Sequence, residues 1–183
     1  MTRMFRTAGR FRTGYDPEAV DEFFAHAREV YEGTASDPLT GRDVRQAAFD
    51  LVRGGYATGA VDAALDRLER AFIARQRSEY VASEGQQAWM EHLAEQARTL
   101  YGRLTRPDGE RFAPPRRGEQ GYSAAEVDAL CHRMIGYFDH GQPLTSEEVR
   151  HAVFTRAKGH RAYGETAVDA FCERVVDVLL GVE

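Results

Sequence analysis

A chain of 183 residues, 43% of them hydrophobic, is long enough to bury a real core, as one domain or as two small ones. No run approaches the roughly 18 apolar residues of a membrane span, and a net charge of −5 argues against a general nucleic-acid binder. With no apolar stretch near the N-terminus to act as a secretory signal, the expected location is the cytoplasm, where Cys131 and Cys172 read as reduced thiols.

Residues 1–13 form a basic N-terminal arm, in which Arg3, Arg6, Arg10 and Arg12 stand without an acid and are interleaved with Met4, Phe5 and Phe11. Such an arm is either a solvated tail or a contact for an anionic surface. Gly14-Tyr15-Asp16-Pro17 then opens a helix predicted over Pro17–Glu32 and stopped by Gly33. Asp16 is the N-cap, Pro17 takes the first helical position, and Tyr15 with Val20 makes a hydrophobic staple. Thr34–Pro38 is a loop, and Thr40 with Asp43 forms a capping box for a short helix ending near Val52. Gly54-Gly55 turns the chain into a second long helix, which begins near Ala60 and runs past Arg77; Ser83 and Gly85 mark a break or a weak point. The stripe Trp89, Leu93, Ala97, Leu100, Tyr101, Leu104 extends this into a connecting helix over residues 76–106.

Pro107–Gln120, with three prolines and two glycines, reads as a linker. Residues 121–183 then replay residues 14–75. Ser123 and Glu126 supply a capping box, the third long helix ends near Gly141, and Thr145 with Glu148 caps a short helix through Val149 and Phe154. Lys158–Ala162 turns into a last helix ending at Leu180. No segment alternates with a strand's period of two, so the expected class is all-α.

The replay has a fixed period. Tyr15, Tyr56, Tyr122 and Tyr163 each stand five residues before a Val-Asp pair, namely Val20-Asp21, Val61-Asp62, Val127-Asp128 and Val168-Asp169. Tyr15 and Tyr56 are 41 residues apart, as are Tyr122 and Tyr163, and the second half follows the first at an offset of 107. Behind each valine runs an amphipathic stripe, for example Phe23, Phe24, Ala27 and Tyr31 after Val20. The pattern predicts tandem helical-hairpin repeats, with copies one and two packed as one pseudo-dimer, copies three and four as another, and a longer helix joining them. Cys131 and Cys172 hold the same repeat position, so pairing would set them on facing stripes.

Little in the chain suggests catalysis. There is no nucleophile elbow, phosphate loop, HExxH or CxxC, and the six histidines are scattered, so neither a metal nor a cofactor is expected. The recurrent Asp21, Asp62, Asp128 and Asp169 read as structural, because the macrodipole favours an acid early in a helix. A small helical DNA-binding regulator is the alternative, with Asp43–Val52 and Ala60–Phe72 as a helix–turn–helix, although Asp62, Asp66 and Glu69 make the second helix acidic.

Leu39-Thr40 through Val44, Phe49, Arg53-Gly54-Gly55-Tyr56 and Val61-Asp62 to Leu68 resembles the N-terminal domain of DivIVA-type proteins. So does Leu144-Thr145 through Val149-Arg150, Phe154, Tyr163 and Val168-Asp169-Ala170-Phe171, while the first and third copies match from Gly-Tyr onward. The resemblance implies a non-enzymatic, helical, dimer-forming adaptor, peripheral at the inner face of the membrane, that recruits proteins of the division or cell-wall growth machinery. It also implies an exposed aromatic beside a basic residue that enters an anionic bilayer. Here that falls on Phe11-Arg12, with Arg10 and Phe5 in the same arm.

Overall fold

The computed structural model describes residues 3–9 and 11–183. It divides into two units, Met1–Tyr80 and Val81–Glu183, taken here one after the other.

The first unit contains β1 (Thr13–Tyr15), α1 (Pro17–Glu32), α2 (Gly41–Arg45), β2 (Leu51–Arg53) and α3 (Thr58–Glu84), whose end from Val81 belongs to the second unit. Helix α1 starts as Asp16-Pro17 dictates: the Asp16 carboxylate accepts from the Glu18 amide, and Gly33 closes the helix in the left-handed conformation at φ 75°. Both halves of the Thr40–Asp43 capping box form at α2. Val20, Tyr56 and Val61 are fully buried together, with Phe5, Tyr15, Phe24, Phe49 and Leu65 packed on them. Ala27, Val44 and Phe72 form a second cluster, against which Phe23, Leu39 and Leu68 pack. The stripes of α1 and α3 therefore share one interior, and near its far end the Tyr31 and Phe72 rings meet edge to face at 5.8 Å.

The second unit is built from α4 (Gln86–Leu104), β3 (Gln120–Ser123), α5 (Ala124–His140), α6 (Ser146–Arg150), β4 (Arg156–Lys158), a single 3₁₀ turn (Gly159–Arg161), β5 (Ala162–Tyr163) and α7 (Glu165–Val182). Strand β3 is central, antiparallel to β4 on one side and β5 on the other. Val127, Met134, Val168, Val175 and Leu179 from α5 and α7 are buried. Helix α4 adds a layer against α7: Trp89, Leu93, Leu100 and Leu104 are buried, and the Trp89 indole donates to the Gly181 carbonyl at 3.2 Å.

The fold is mostly helical but not all-α, because each unit carries a small antiparallel sheet. In the first, Thr13 lies opposite Arg53 and Tyr15 opposite Leu51; in the second, Gln120 lies opposite Lys158 and Tyr122 opposite both Arg156 and Tyr163. Strands of two to four residues are too short for alternation to register, and each pairs with a segment distant in sequence, Thr13–Tyr15 with Leu51–Arg53 and Gln120–Ser123 with Arg156–Lys158 and Ala162–Tyr163. The same pairing cuts the short helices. They stop at Arg45 and Arg150, and the chain then extends into β2 and β4 instead of remaining helical to Val52 and Phe154.

Of the two readings at Ser83 and Gly85, the break is the one found: α3 ends at Glu84, Gly85 takes φ 92° and ψ 161°, and α4 starts afresh. Two further expectations change. Residues 107–120 are no linker, since Arg111 and Phe112 are buried within the second unit. Ser123 makes no side-chain cap; Glu126 instead reaches across the unit and accepts from the Thr155 amide and hydroxyl at 2.7 and 2.6 Å.

Gly14 and Gly121 explain why glycine precedes tyrosine. A Cβ on Gly14 would fall on the Tyr56 carbonyl oxygen, and one on Gly121 on that of Tyr163. Gly14→Ala or Gly121→Ala should therefore cost about 1–3 kcal/mol in urea unfolding, the usual range for overpacking. Gly102→Ala, on the open face of α4 with nothing near its Cβ, should instead stabilise by about 0.4–1 kcal/mol.

Candidate functional site

Within each unit two tyrosines and two aspartates meet. Tyr15 and Tyr56 exchange backbone hydrogen bonds, N–H to carbonyl at 3.0 Å and 2.8 Å. Their side chains then cross: the buried Tyr56 hydroxyl lies 3.0 Å from both Asp21 carboxylate oxygens, and the Tyr15 hydroxyl bonds to Asp62. The second unit has the same exchange. Tyr163 reaches Asp128 at 3.0 and 3.1 Å, and Tyr122 bonds to Asp169. Burial, then the nearby carboxylate, pushes the Tyr15 and Tyr122 phenols above their ordinary value.

A strand-like segment lies over each buried tyrosine. The Met4 amide donates to the Tyr56 hydroxyl at 3.0 Å, and the Arg111 amide to the Tyr163 hydroxyl at 3.2 Å. Phe5 stacks on Tyr56 at 5.4 Å and Phe112 on Tyr163 at 5.2 Å. The carbonyls of Arg6 and Ala113 each accept at 2.9 Å, from Ala57 and Gly164 respectively. These partners again differ by 107 in number. The expected arm and the expected linker are thus the same kind of covering segment.

This relocates the predicted membrane-contact residues. Phe5 is half-buried, packing on Phe24 at 5.3 Å and on Tyr56 in the core. Phe11 is 89% exposed. Arg12 is exposed next to it and its carbonyl accepts from Gly54 at 2.9 Å, which puts both beside exposed Arg53 at the end of the β1–β2 pair. Arg10 lies outside the described residues.

The units part company at the carboxylate. Asp128 and Arg111 have side chains only 5% and 3% exposed and are 2.7 Å apart. Arg111 also binds Asp108 at 2.6 Å, and the Gly109 amide donates to Asp128 at 2.8 Å. Burial alone would lower the Arg111 pKa, but its bonds to Asp128 and Asp108 raise it. Asp108, held below its ordinary value first by Arg111 and then by His132, carries the chain out to solvent, where the His132 ring lies 2.9 Å from it. Sequence reading missed Asp108, Arg111 and His132. The signal was present, since Met4-Phe5 and Arg111-Phe112 also stand 107 apart.

An open cleft of about 740 Å³ borders this cluster, lined among others by Asp108, Ser123, Asp128, His132, Arg156 and Arg161. Serine, histidine and aspartate there suggest a hydrolytic triad, but the geometry denies it. Ser123 stands just before α5 and His132 lies on it nine residues later, an axial separation of roughly 13 Å at 1.5 Å per residue. Hydrogen-bond reach for a nucleophile and its base is about 3 Å.

Cys131 is buried and Cys172 half-buried, both as free thiols. Burial pushes each up to about 12, and Cys131 adds to the rise at Cys172. Among the described residues no cluster of three or more His, Cys, Asp or Glu is placed to hold a metal, and no helix is long and apolar enough to cross a membrane.

No protein-family model matches the chain, and neither a curated protein nor a solved structure shows significant similarity to it.

Two measurements probe this site. Asp128→Ala leaves buried Arg111 without its main partner and should cost about 3–5 kcal/mol in urea unfolding. Asp21→Ala strands only the Tyr56 hydroxyl and should cost about 1–3 kcal/mol. The raised thiols favour folding in their protonated forms, so their contribution is complete below the ordinary thiol value of 9.0 and drains as pH rises toward about 12. Cys131→Ala with Cys172→Ala should flatten the alkaline loss of stability that begins near pH 9.0.

Proposed function

We propose that the protein is a non-enzymatic interaction protein of the DivIVA-domain type, cytoplasmic and peripheral to the membrane. In this reading tandem copies of one hairpin pair two by two, and Phe11 with Arg12 touches an anionic bilayer. The pairing is supported by the crossed tyrosine–aspartate bonds, which give each hairpin what its neighbour lacks.

The observation that carries the membrane contact is Phe11, 89% exposed beside exposed Arg12 and Arg53. Burying a phenylalanine in the acyl boundary is worth up to about 3 kcal/mol, and each arginine near an anionic surface adds about 1 kcal/mol. Those sums suit reversible, peripheral binding. The partners are proteins of the division or wall-growth machinery, recruited where the membrane holds the chain.

Co-sedimentation with phosphatidylserine-containing vesicles tests the contact. The wild-type chain should pellet with vesicles at low salt, less at about 0.15 M salt where exposed charges are screened beyond about 8 Å, and not after Phe11→Ala with Arg12→Ala. Pelleting that survives both substitutions would remove Phe11 from the account. A fluorescent fusion should form septal or polar foci that the same double substitution disperses.

A further inference from the structure

The turn that follows the edge strand differs between the units, and the difference builds the cleft. Arg53 and Lys158 are the equivalent strand ends, opposite Thr13 and Gln120, and each is followed by a glycine at positive φ, Gly54 at 69° and Gly159 at 60°. Tyr56 comes three residues after Arg53, whereas Tyr163 comes five after Lys158. The two extra residues are accommodated by the 3₁₀ turn Gly159–Arg161, which carries exposed His160 and Arg161. Arg161 lines the cleft with Arg156, and it makes no side-chain hydrogen bond or ion pair among the described residues.

The cations continue beyond the cleft. The turn Arg116–Glu119 closes with the Glu119 amide on the Arg116 carbonyl at 2.9 Å, just before Gln120, which lies opposite Lys158. Exposed Arg116, Arg117 and Lys158 therefore stand at one end of the β3–β4 pair, against the single acid Glu119. Where the first unit has Phe11, the same offset of 107 places Gly118. The corner keeps its charge and lacks the apolar group that would enter a bilayer.

From this we infer that the cleft and the basic corner beside it dock an acidic, extended segment of a protein partner. The floor is small, with Ala124, Ala125 and Ala157, so a backbone can approach closely. Arginine forks bind carboxylates in pairs of hydrogen bonds, a geometry that a soluble acidic peptide supplies. Asp108, already held by Arg111 and His132, repels carboxylates from its own part of the lining and so favours acidic residues against Arg161 and Lys158. The inference names the partner chemistry for the adaptor reading and rests on it. Vesicle binding through Phe11 and peptide binding through this corner are nevertheless measured separately.

The test uses the full chain with Phe11→Ala, so that the first corner is silent, and follows fluorescein-labelled hexaglutamate by anisotropy. Binding should be saturable and should weaken with salt. It should fall by roughly tenfold or more in Arg161→Glu with Lys158→Glu, survive in Arg161→Lys, and be unmoved by Arg53→Glu at the equivalent corner of the first unit. Unchanged circular dichroism would keep the reversal interpretable. Failure to bind hexaglutamate, equal binding by the charge-reversed chain, or equal loss in Arg53→Glu would overturn the inference. So would phosphatidylserine vesicles binding the Phe11→Ala chain through Arg161 and Lys158 while hexaglutamate does not, since the corner would then be a lipid contact.

Discussion

A phenol that must leave water and a carboxylate that must follow it are the constraint around which each unit is arranged. Tyr56 and Tyr163 are 0% and 1% exposed, and a hydroxyl at that depth is costly unless something accepts its hydrogen bond. The acceptor comes from 35 residues earlier in the chain in both cases, Asp21 for Tyr56 and Asp128 for Tyr163. A hydrogen bond to a charged group is worth about 1.5–3 kcal/mol, but its consequence for architecture is larger. In each unit the bond ties two segments 35 residues apart to one another. The backbones must then run so close that Gly14 and Gly121 have no room for a Cβ.

This constraint divides what could be read from the sequence from what could not. The long helices were legible because their stripes persist over several turns, and Asp16, Thr40 and Thr145 cap where their residue types promise. Ser123 and Glu126 have the same residue types as a capping box, yet Glu126 is drawn 29 residues along the chain to Thr155. Nothing local separates the two outcomes. The strands were invisible because each is two to four residues long and its partner lies far along the chain, as with Gly14 opposite Val52 and Gly121 opposite Ala157.

The N-terminal segment makes the same point with two phenylalanines. Phe5 and Phe11 share one basic stretch, and composition treats them alike, although one is packed on Tyr56 and the other is 89% exposed. Proline content likewise suggested a linker where Phe112 is buried. Extending the offset of 107 upstream would have separated these cases, since it aligns Met4-Phe5 with Arg111-Phe112 and Phe11 with Gly118. A period contains more information than composition because it ties a residue to a place in the packing.

The two units satisfy the shared constraint at different cost, and the difference bears on what each is free to do. In the first unit Met4 contributes only its amide to the Tyr56 hydroxyl. In the second, Arg111 brings a full positive charge to a side chain 3% exposed, which burial resists and which Asp128 and Asp108 must neutralise. That pairing locks the second covering segment down through its side chain as well as its backbone. Its corner is thereby held on a fixed base, so a two-residue extension after Lys158 can lengthen the turn without loosening the tyrosine beneath it. The units therefore differ both beside the buried tyrosine, where Met4 stands in one and Arg111 in the other, and at the corners, where Phe11 stands in one and His160-Arg161 in the other, while the crossed tyrosine–aspartate bonds are kept in both.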